Sequence, residues 1–504
     1  MQSVARPNVL LITSDQQHWM TLGYNNPEIR TPNLDRLAAQ GMVFDRAYCP
    51  NPTCTPTRSS ILTGQYPSQH GAYTLGTKLD ESRPTMNDRW RELGYATGLI
   101  GKAHFQPLAS PPEFPSLEAY PVLQDLEFWR TFEGPFYGFD HFELARNHGD
   151  EAHVGQHYAL WMEEKGFKNW RECFCEPTGT HAPQHGRWNI PQEFHLNTWI
   201  AERTNVLIRE WAGRGQPFFL WSSYFDPHPP YLVPAPWDTM YDPDTLTLPA
   251  PQADGHRHSP RFHRFAMSEG ASREDYGIKG KWMHGVHSHV QDPAQTRRDL
   301  ALYYGMVSFM DHMIGQTLDC LDELGLTDKT LVVFTTDHGH YLGHHSLIAK
   351  GPFHYEDGVK VPMAARWPGH IPAGVRSNAL QSLVDLPVTL LAAAGLEKPG
   401  HMSGVDQLPV WVGEVGAARD HCLVENNHVP GSVELRTYID ERYKLTIYRD
   451  SDEGELYDLR DDPGECENRF DDPAWAEVKM RLYHRFVQAE MAKDVLPMPR
   501  IAPA

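Results

Sequence analysis

Four short apolar runs, each leading into reactive polar residues, constrain the fold of this chain more than any other feature. "NVLLIT" (Asn8 to Thr13) is followed by Asp15 and Gln16, and "TGLIG" (Thr97 to Gly101) by Lys102 and His104. "PFFLWSSYF" (Pro217 to Phe225) is followed by His228, and "TLVVFTT" (Thr330 to Thr336) by Asp337 and His338. Such runs, alternating with helical patterns, read as buried strands of a parallel sheet with helices on both faces. In open α/β sheets ligands bind beyond the carboxyl ends of the strands. Four ends bearing acids, bases and cations therefore predict one shared crevice.

Between Arg297 and Leu324 apolar residues recur at helical spacing and stop before Gly325, which predicts a long packing helix. Residues 107–195 and 226–296 are rich in proline, histidine and aromatics with little periodicity, and read as long loops where specificity would sit. Their histidine patches (His256, His258, His263 and His284, His287, His289) have the composition of a metal site but read first as solvated loop side chains. After about residue 400 the pattern becomes "CLVEN", "ELRTYID" and "YKLTIYR", then a turn-rich "GELYDLRDDPGECENRF" and a helix from Pro473 to Ala492. This predicts a smaller second domain, 401–504, of antiparallel sheet plus helix, beside a catalytic α/β domain over 1–400. The final "VLPMPRIAPA" is apolar and proline-rich and reads as a tail for a neighbouring subunit, hence a homodimer or homotetramer.

A chain of 504 residues is too long for one core, which agrees with that division. Its formal charge of −20 argues against nucleic acid and anionic membrane as partners, since both require a basic face. An anionic substrate would have to be drawn in by a local group of cations. No secretory signal pattern and no membrane-length apolar stretch is visible. The seven cysteines are odd in number and lack a Cys-x-x-Cys pair. Reduced thiols in a cytoplasmic protein are the expectation.

One of those cysteines is unusually placed. In "CTPTRSSILTGQYPSQHG" Pro56 suits a first helical turn, and the helix would run to Gly64. Cys54 then lies at a helix N-terminus, where amides and the dipole favour negative charge and lower a thiol's pKa. A packed cysteine, a thiolate nucleophile and the precursor of another nucleophile are all compatible with spacing alone.

Cys54, Pro56 and Arg58 form a Cys-x-Pro-x-Arg motif that resembles the signature of the type I sulfatases, in which the cysteine is oxidised to formylglycine. "GYATGLIGKAH" (Gly94 to His104) resembles the second signature, and "TPNLDRLAAQGMVF", "TLVVFTTDHG" and "ELYDLRDDPGE" look like further family segments in the same order. The resemblance implies the alkaline-phosphatase-like α/β fold, a mixed sheet sandwiched by helices. It also implies hydrolysis of small or aromatic sulfate monoesters, as by an arylsulfatase, at one divalent metal, with a formylglycine-generating enzyme as a transient partner. Physical chemistry explains the unusual nucleophile. A serine would leave a sulfate ester that water must attack, whereas one hydroxyl of a hydrated aldehyde attacks and the other collapses to carbonyl, expelling sulfate.

By the same resemblance Asp15, Gln16, Asp337 and His338 are metal positions, with an oxygen of modified Cys54 completing the shell. The commonest family pattern has an acid where Gln16 stands and an asparagine where His338 stands. The softer set here moves the preference from Ca2+ toward Mn2+. Those pairs also match the phosphonate monoester hydrolases, a formylglycine-dependent branch, so a phosphonate monoester or phosphodiester hydrolase is the rival activity. Arg58 would hold the diol, Lys102 and Lys350 the sulfuryl oxygens, His104 would assist collapse, and His228 with Lys350 would protonate the leaving oxygen. Ala103 replaces the usual aromatic, which leaves the aim of His104 open. His344, His345 and His354 compete with Lys350 for its place, and Glu356 and Asp357 read as structural.

Overall fold

The computed structural model describes residues 6–146, 153–174, 185–252, 256–267 and 292–494. Eight strands form the main sheet: β1 (Asn8–Ser14), β2 (Met42–Phe44), β3 (Ala96–Lys102), β4 (His141–Ala145), β5 (Phe218–Ser223), β6 (Thr330–Thr336), β7 (Met363–Arg366) and β8 (Val375–Ser377). Their order is β8-β2-β7-β6-β1-β5-β3-β4. The five strands from β6 to β4 are mutually parallel, whereas β7 runs antiparallel to both its neighbours.

Successive side chains on each central strand enter opposite cores, which is why these runs are apolar without interruption. Leu10 and Ile12 of β1 pack with Leu220, Val332 and Phe334 on one face, against the helices Leu196–Gly213 and Pro293–Glu323. Val9 and Leu11 pack with Phe219, Trp221, Leu331 and Val333 on the other, against Ile61, Leu62 and Leu390. Each fully buried side chain of this size contributes about 1.5–3 kcal/mol. In β3, Gly101 adopts φ 109°, and a Cβ there would stand 1.9 Å from the carbonyl oxygen of Ser223. Glycine alone lets β3 lie against β5 at its reactive end.

The long helix begins four residues earlier than its periodicity predicts, at Pro293. The segments read as loops contain more structure than their composition suggests: helices Leu126–Thr131, Gln156–Glu164 and Arg261–Ala266, and strand β4 of the main sheet. Aromatic packing supplies the order that periodicity does not reveal. Trp129, Phe132, Phe142 and Phe136 pack in sequence edge-on or tilted, and Tyr158 meets Trp199 and Phe174. The histidine reading also needs correction. His256 and His263 are fully buried, hydrogen-bonded to Ser259 and to Tyr355 and Tyr448, so they are core groups rather than solvated ones. His284, His287, His289 and the tail lie outside the described residues.

The carboxyl-terminal region forms the expected antiparallel sheet, β9 (His421–Val429), β10 (Val433–Asp440), β11 (Tyr443–Tyr448) and β12 (Gly454–Asp458). β12 occupies the stretch read as turn-rich. Helix Ala476–Met491 covers this sheet through Leu482, Phe486 and Ala489, which join Leu423, Tyr438, Leu445 and Leu456. The sheet also braces the approach to Cys54. The N–H of Glu425 donates to the carbonyl of Pro50 (2.8 Å), and the Asn51 side chain donates to the carbonyl of Glu425 (2.5 Å).

Burial lowers His70 and His195 to about 3 and His157 to about 4. Unfolding lets them take up protons below pH 6.5, so their contribution is complete above that pH and is lost progressively toward pH 4. Burial raises Asp311 to about 6, Asp226 to about 7 and Glu465 to about 8, which acts in the opposite direction. These acids are outnumbered, because burial also holds His263, His340 and His354 well below 6.5. The melting temperature is therefore expected to fall by several degrees between pH 7 and pH 5.5; a flat or rising profile would contradict this balance.

Candidate active site

Helix Cys54–Thr63 is buried along its whole length, with Thr53 extended before it and left-handed Gly64 (φ 65°) ending it. Cys54, 1% exposed, is its first residue. The carboxyl ends of β1, β3, β5 and β6 converge on this helix start, as the four runs predict. Cys54 Sγ lies 3.2 Å from His338 Nε2, 3.3 Å from Lys350 Nζ, 3.5 Å from Asp15 Oδ1 and 3.6 Å from Lys102 Nζ.

Arg58 and Lys102 each face a carboxylate in this chamber. Arg58 Nε donates to Asp337 Oδ2 at 2.8 Å with both side chains fully buried, and Nη1 donates to Ser223 Oγ (2.7 Å) and the Lys102 carbonyl (3.0 Å). Asp337 Oδ1 accepts the N–H groups of Gln16 and His338, each at 3.0 Å. Lys102 pairs with Asp15. Burial opposes ionisation of Asp337, but Arg58, His338 and Lys102 together hold its carboxyl far below the usual range. Asp15 is raised, by burial first and then by the charge of Asp337.

Burial also raises the Cys54 thiol, with Asp15 adding to the effect. The sequence argument from the helix N-terminus expects a lowered value. Complete desolvation next to a carboxylate outweighs a helix dipole worth about 0.3–1 kcal/mol. A thiolate at Cys54 is correspondingly disfavoured.

Two clusters of potential metal ligands occur among the described residues, and their proton positions distinguish them. In the first, Asp15, Asp337, His338 and Cys54 converge. His338 Nδ1 donates to the Gly339 carbonyl (3.0 Å), which leaves the lone pair of Nε2 facing inward, and burial lowers its pKa to about 3. Gln16 adopts a left-handed backbone (φ 57°), and neither atom of its buried amide has a hydrogen-bond partner among the described residues. Strained backbone and a bare amide beside two carboxylates and an imidazole lone pair fit a divalent cation. In the second cluster, His18 Nδ1 accepts the N–H of Met20 (3.1 Å), so its proton is on Nε2 and is donated to Asp357 Oδ1 (2.8 Å). His344 and His345 approach the same carboxylate at 3.5 and 3.3 Å. That arrangement is a hydrogen-bonded clamp joining the loops after β1 and β6, and Asp357 is structural, as is Glu356, which binds Lys444 and Tyr48.

The family model described as Sulfatase matches residues 7–396. The chain belongs to the sulfatase family. A second model, N-sulphoglucosamine sulphohydrolase, C-terminal, matches residues 343–492 of this sulfatase-family chain. It is 29% identical to a multifunctional alkaline phosphatase superfamily protein of Trinickia caryophylli, over 94% of this chain and 93% of that protein. It is 27% identical to an arylsulfatase of Clostridium perfringens, over 94% and 92%. The phosphonate monoester hydrolase of Silicibacter pomeroyi superposes with a TM-score of 0.78 at 26% identity, covering 97% of this chain and 96% of that one.

The sulfatase-family chamber holds nearly every residue singled out from sequence. Lys350 is 2% exposed and touches both Cys54 and His228 Nε2 (3.2 Å), whereas His344 and His345 face Asp357 and His354 binds Thr437. His228 Nδ1 donates to the Pro229 carbonyl (2.5 Å), and burial with the Lys350 charge holds its pKa well below normal. His104 stands at φ 56°, its Nδ1 without a partner among the described residues, and its N–H donates to Glu118 (3.1 Å). Three groups escape sequence reasoning. Ser223, Glu118 and Arg146 carry no motif, and the last two fall in a stretch read as loop.

Proposed function

We propose that the chain hydrolyses sulfate monoesters through a formylglycine made from Cys54, in a site completed by one divalent metal ion, Mn2+ or Ca2+. The observation that carries this reading is Cys54 itself, walled in at a helix start and touched by two lysines, a carboxylate and an imidazole lone pair. Family membership and the named sulfatase relatives support sulfuric ester hydrolysis.

Asp15, Gln16, Asp337 and His338 would hold the cation, which would supply acidification of the nucleophile and neutralisation of sulfuryl charge. Oxidised Cys54 would supply a hydrated aldehyde, whose release step makes water attack on sulfur unnecessary. Arg58, fixed by Asp337 and Ser223, orients the hydroxyl groups at position 54. Lys102 and Lys350 bind the sulfuryl oxygens as compact charges. With Nδ1–H donated to Pro229, His228 presents a lone pair to Lys350, so Lys350 is the protonated member of the pair. The proton for the departing alcohol comes from this pair, and His104 removes one during collapse.

Phosphonate monoesters are the second reading. Gln16 and His338 favour it, as does the likeness to a phosphonate monoester hydrolase, while Lys102 and His104 favour sulfate. Peptide mass spectrometry across residue 54 is expected to show aldehyde in active material, and 4-nitrophenyl sulfate to be turned over faster than a phenyl phosphonate monoester. Intact thiol in fully active enzyme would overturn the nucleophile; the opposite substrate order would transfer the assignment to the phosphonate branch.

A further inference from the structure

β4 adds a fifth reactive strand end to the crevice. Ala145, its last residue, is in register with Lys102 on β3, so Arg146 follows directly at the level of Lys102 and His104. The Arg146 side chain is 5% exposed, and its Nε lies 3.3 Å from Glu118 Oε2 as an ion pair while making no hydrogen bond among the described residues. Glu118 is already well satisfied, because its two oxygens accept the N–H groups of His104 (3.1 Å), Phe105 (2.9 Å) and Gln106 (3.1 Å). Burial first, and then the Arg146 charge, hold the His104 imidazole well below its ordinary pKa. Arg146 is thus a buried cation at the His104 side of the chamber, with no part in the chemistry set out above.

A guanidinium has five donors in a planar fork, more than a single neighbouring carboxylate oxygen can use, and here the Nε donor is itself unengaged among the described residues. With Glu118 held by three backbone amides, Arg146 can share its fork with a second anion without leaving that carboxylate uncompensated. We propose that Arg146 is a specificity-determining residue that binds a second negative group, carboxylate or sulfate, on the part of the substrate that is not transferred. This rests on the sulfate-ester reading, and it narrows the substrate class to esters with an anionic alcohol portion. For a protein of formal charge −20 such a substrate has to be won by local cations.

The test compares wild type, Arg146→Lys and Arg146→Gln on 4-nitrophenyl sulfate and on 3-carboxy-4-nitrophenyl sulfate. The Gln variant is expected to lose about 10- to 100-fold more kcat/KM on the carboxylated ester than on the plain one, with the Lys variant between. Equal losses on both esters would overturn the proposal and make Arg146 only a support for Glu118. A second measurement needs no turnover: 3-sulfobenzoate is expected to raise the wild-type melting temperature more than benzenesulfonate does, and Arg146→Gln to erase that difference. If neither ester is hydrolysed but this difference holds, the sulfate reading fails while the anion site stands; no difference in wild type sinks the site itself.

Discussion

Cys54→Ala is expected to yield a folded protein whose kcat on aryl sulfates is lower by about 10^4-fold or more, the scale seen when a covalent nucleophile is deleted. The stability loss should be small, about 1 kcal/mol, because only one small buried side chain is truncated and the helix start keeps Thr53, Pro56 and the Asn51 brace. Asp15, Gln16, Asp337 and His338 remain, so uptake of a divalent cation, followed by calorimetry, should persist. Activity within tenfold of wild type would remove residue 54 from the chemistry. Thiol alkylation separates the remaining alternatives: a mature aldehyde is indifferent to iodoacetamide, whereas catalysis by sulfur would be inactivated.

The second large effect falls on stability as well as rate. In Arg58→Met a fully buried carboxylate loses its guanidinium partner, and the expected cost is about 3–5 kcal/mol, measured by urea unfolding in the presence of chelator. Its pH dependence has a definite sign. In wild type, Asp337 has a folded pKa below its unfolded one, so its contribution is complete above about pH 4 and persists far into acid. Burial is already the largest single influence on Asp337, and without Arg58 the strongest opposition to it is gone, so the ionised form is disfavoured. The folded variant then favours a protonated Asp337, and its deficit relative to wild type should be greatest at pH 7 and shrink toward pH 4. A loss under about 1 kcal/mol, or a deficit that grows in acid, would show that the pair does not hold this chamber together. Activity should fall together with stability, since Arg58 also binds Ser223 and the Lys102 carbonyl.

How much of this was legible in sequence depends on where the signal resides. Strand ends with reactive residues are written locally, so the convergence of Asp15, Lys102, His228 and Asp337 on Cys54 follows from four apolar runs and one topological rule. Sequence names Lys350 but leaves three neighbouring histidines as rivals, because left-handed residues at His345, Ser346 and Ala349 decide which side chain turns inward. The order in 107–195 was invisible for another reason: packed aromatics of irregular spacing hold it, and periodicity does not register such contacts. β4 was lost with it, and Arg146 with β4. The thiol of Cys54 shows the limit of argument by element type. A helix start says which charge is welcome, but only the complete surroundings tell whether water is present to share the work.

The near-total enclosure of Cys54 also bears on when it can mature. Under the proposed reading a separate enzyme must grip the chain around residue 54, yet every residue from Cys54 to Thr63 is walled off in the native molecule. Oxidation then has to overtake folding, on a nascent or still open polypeptide. A molecule that closes first is trapped as a well-folded blank, and no later supply of the oxidising enzyme rescues it. The active fraction of a preparation would therefore record a race during synthesis, tunable by slowing translation and insensitive to treatment of the purified protein.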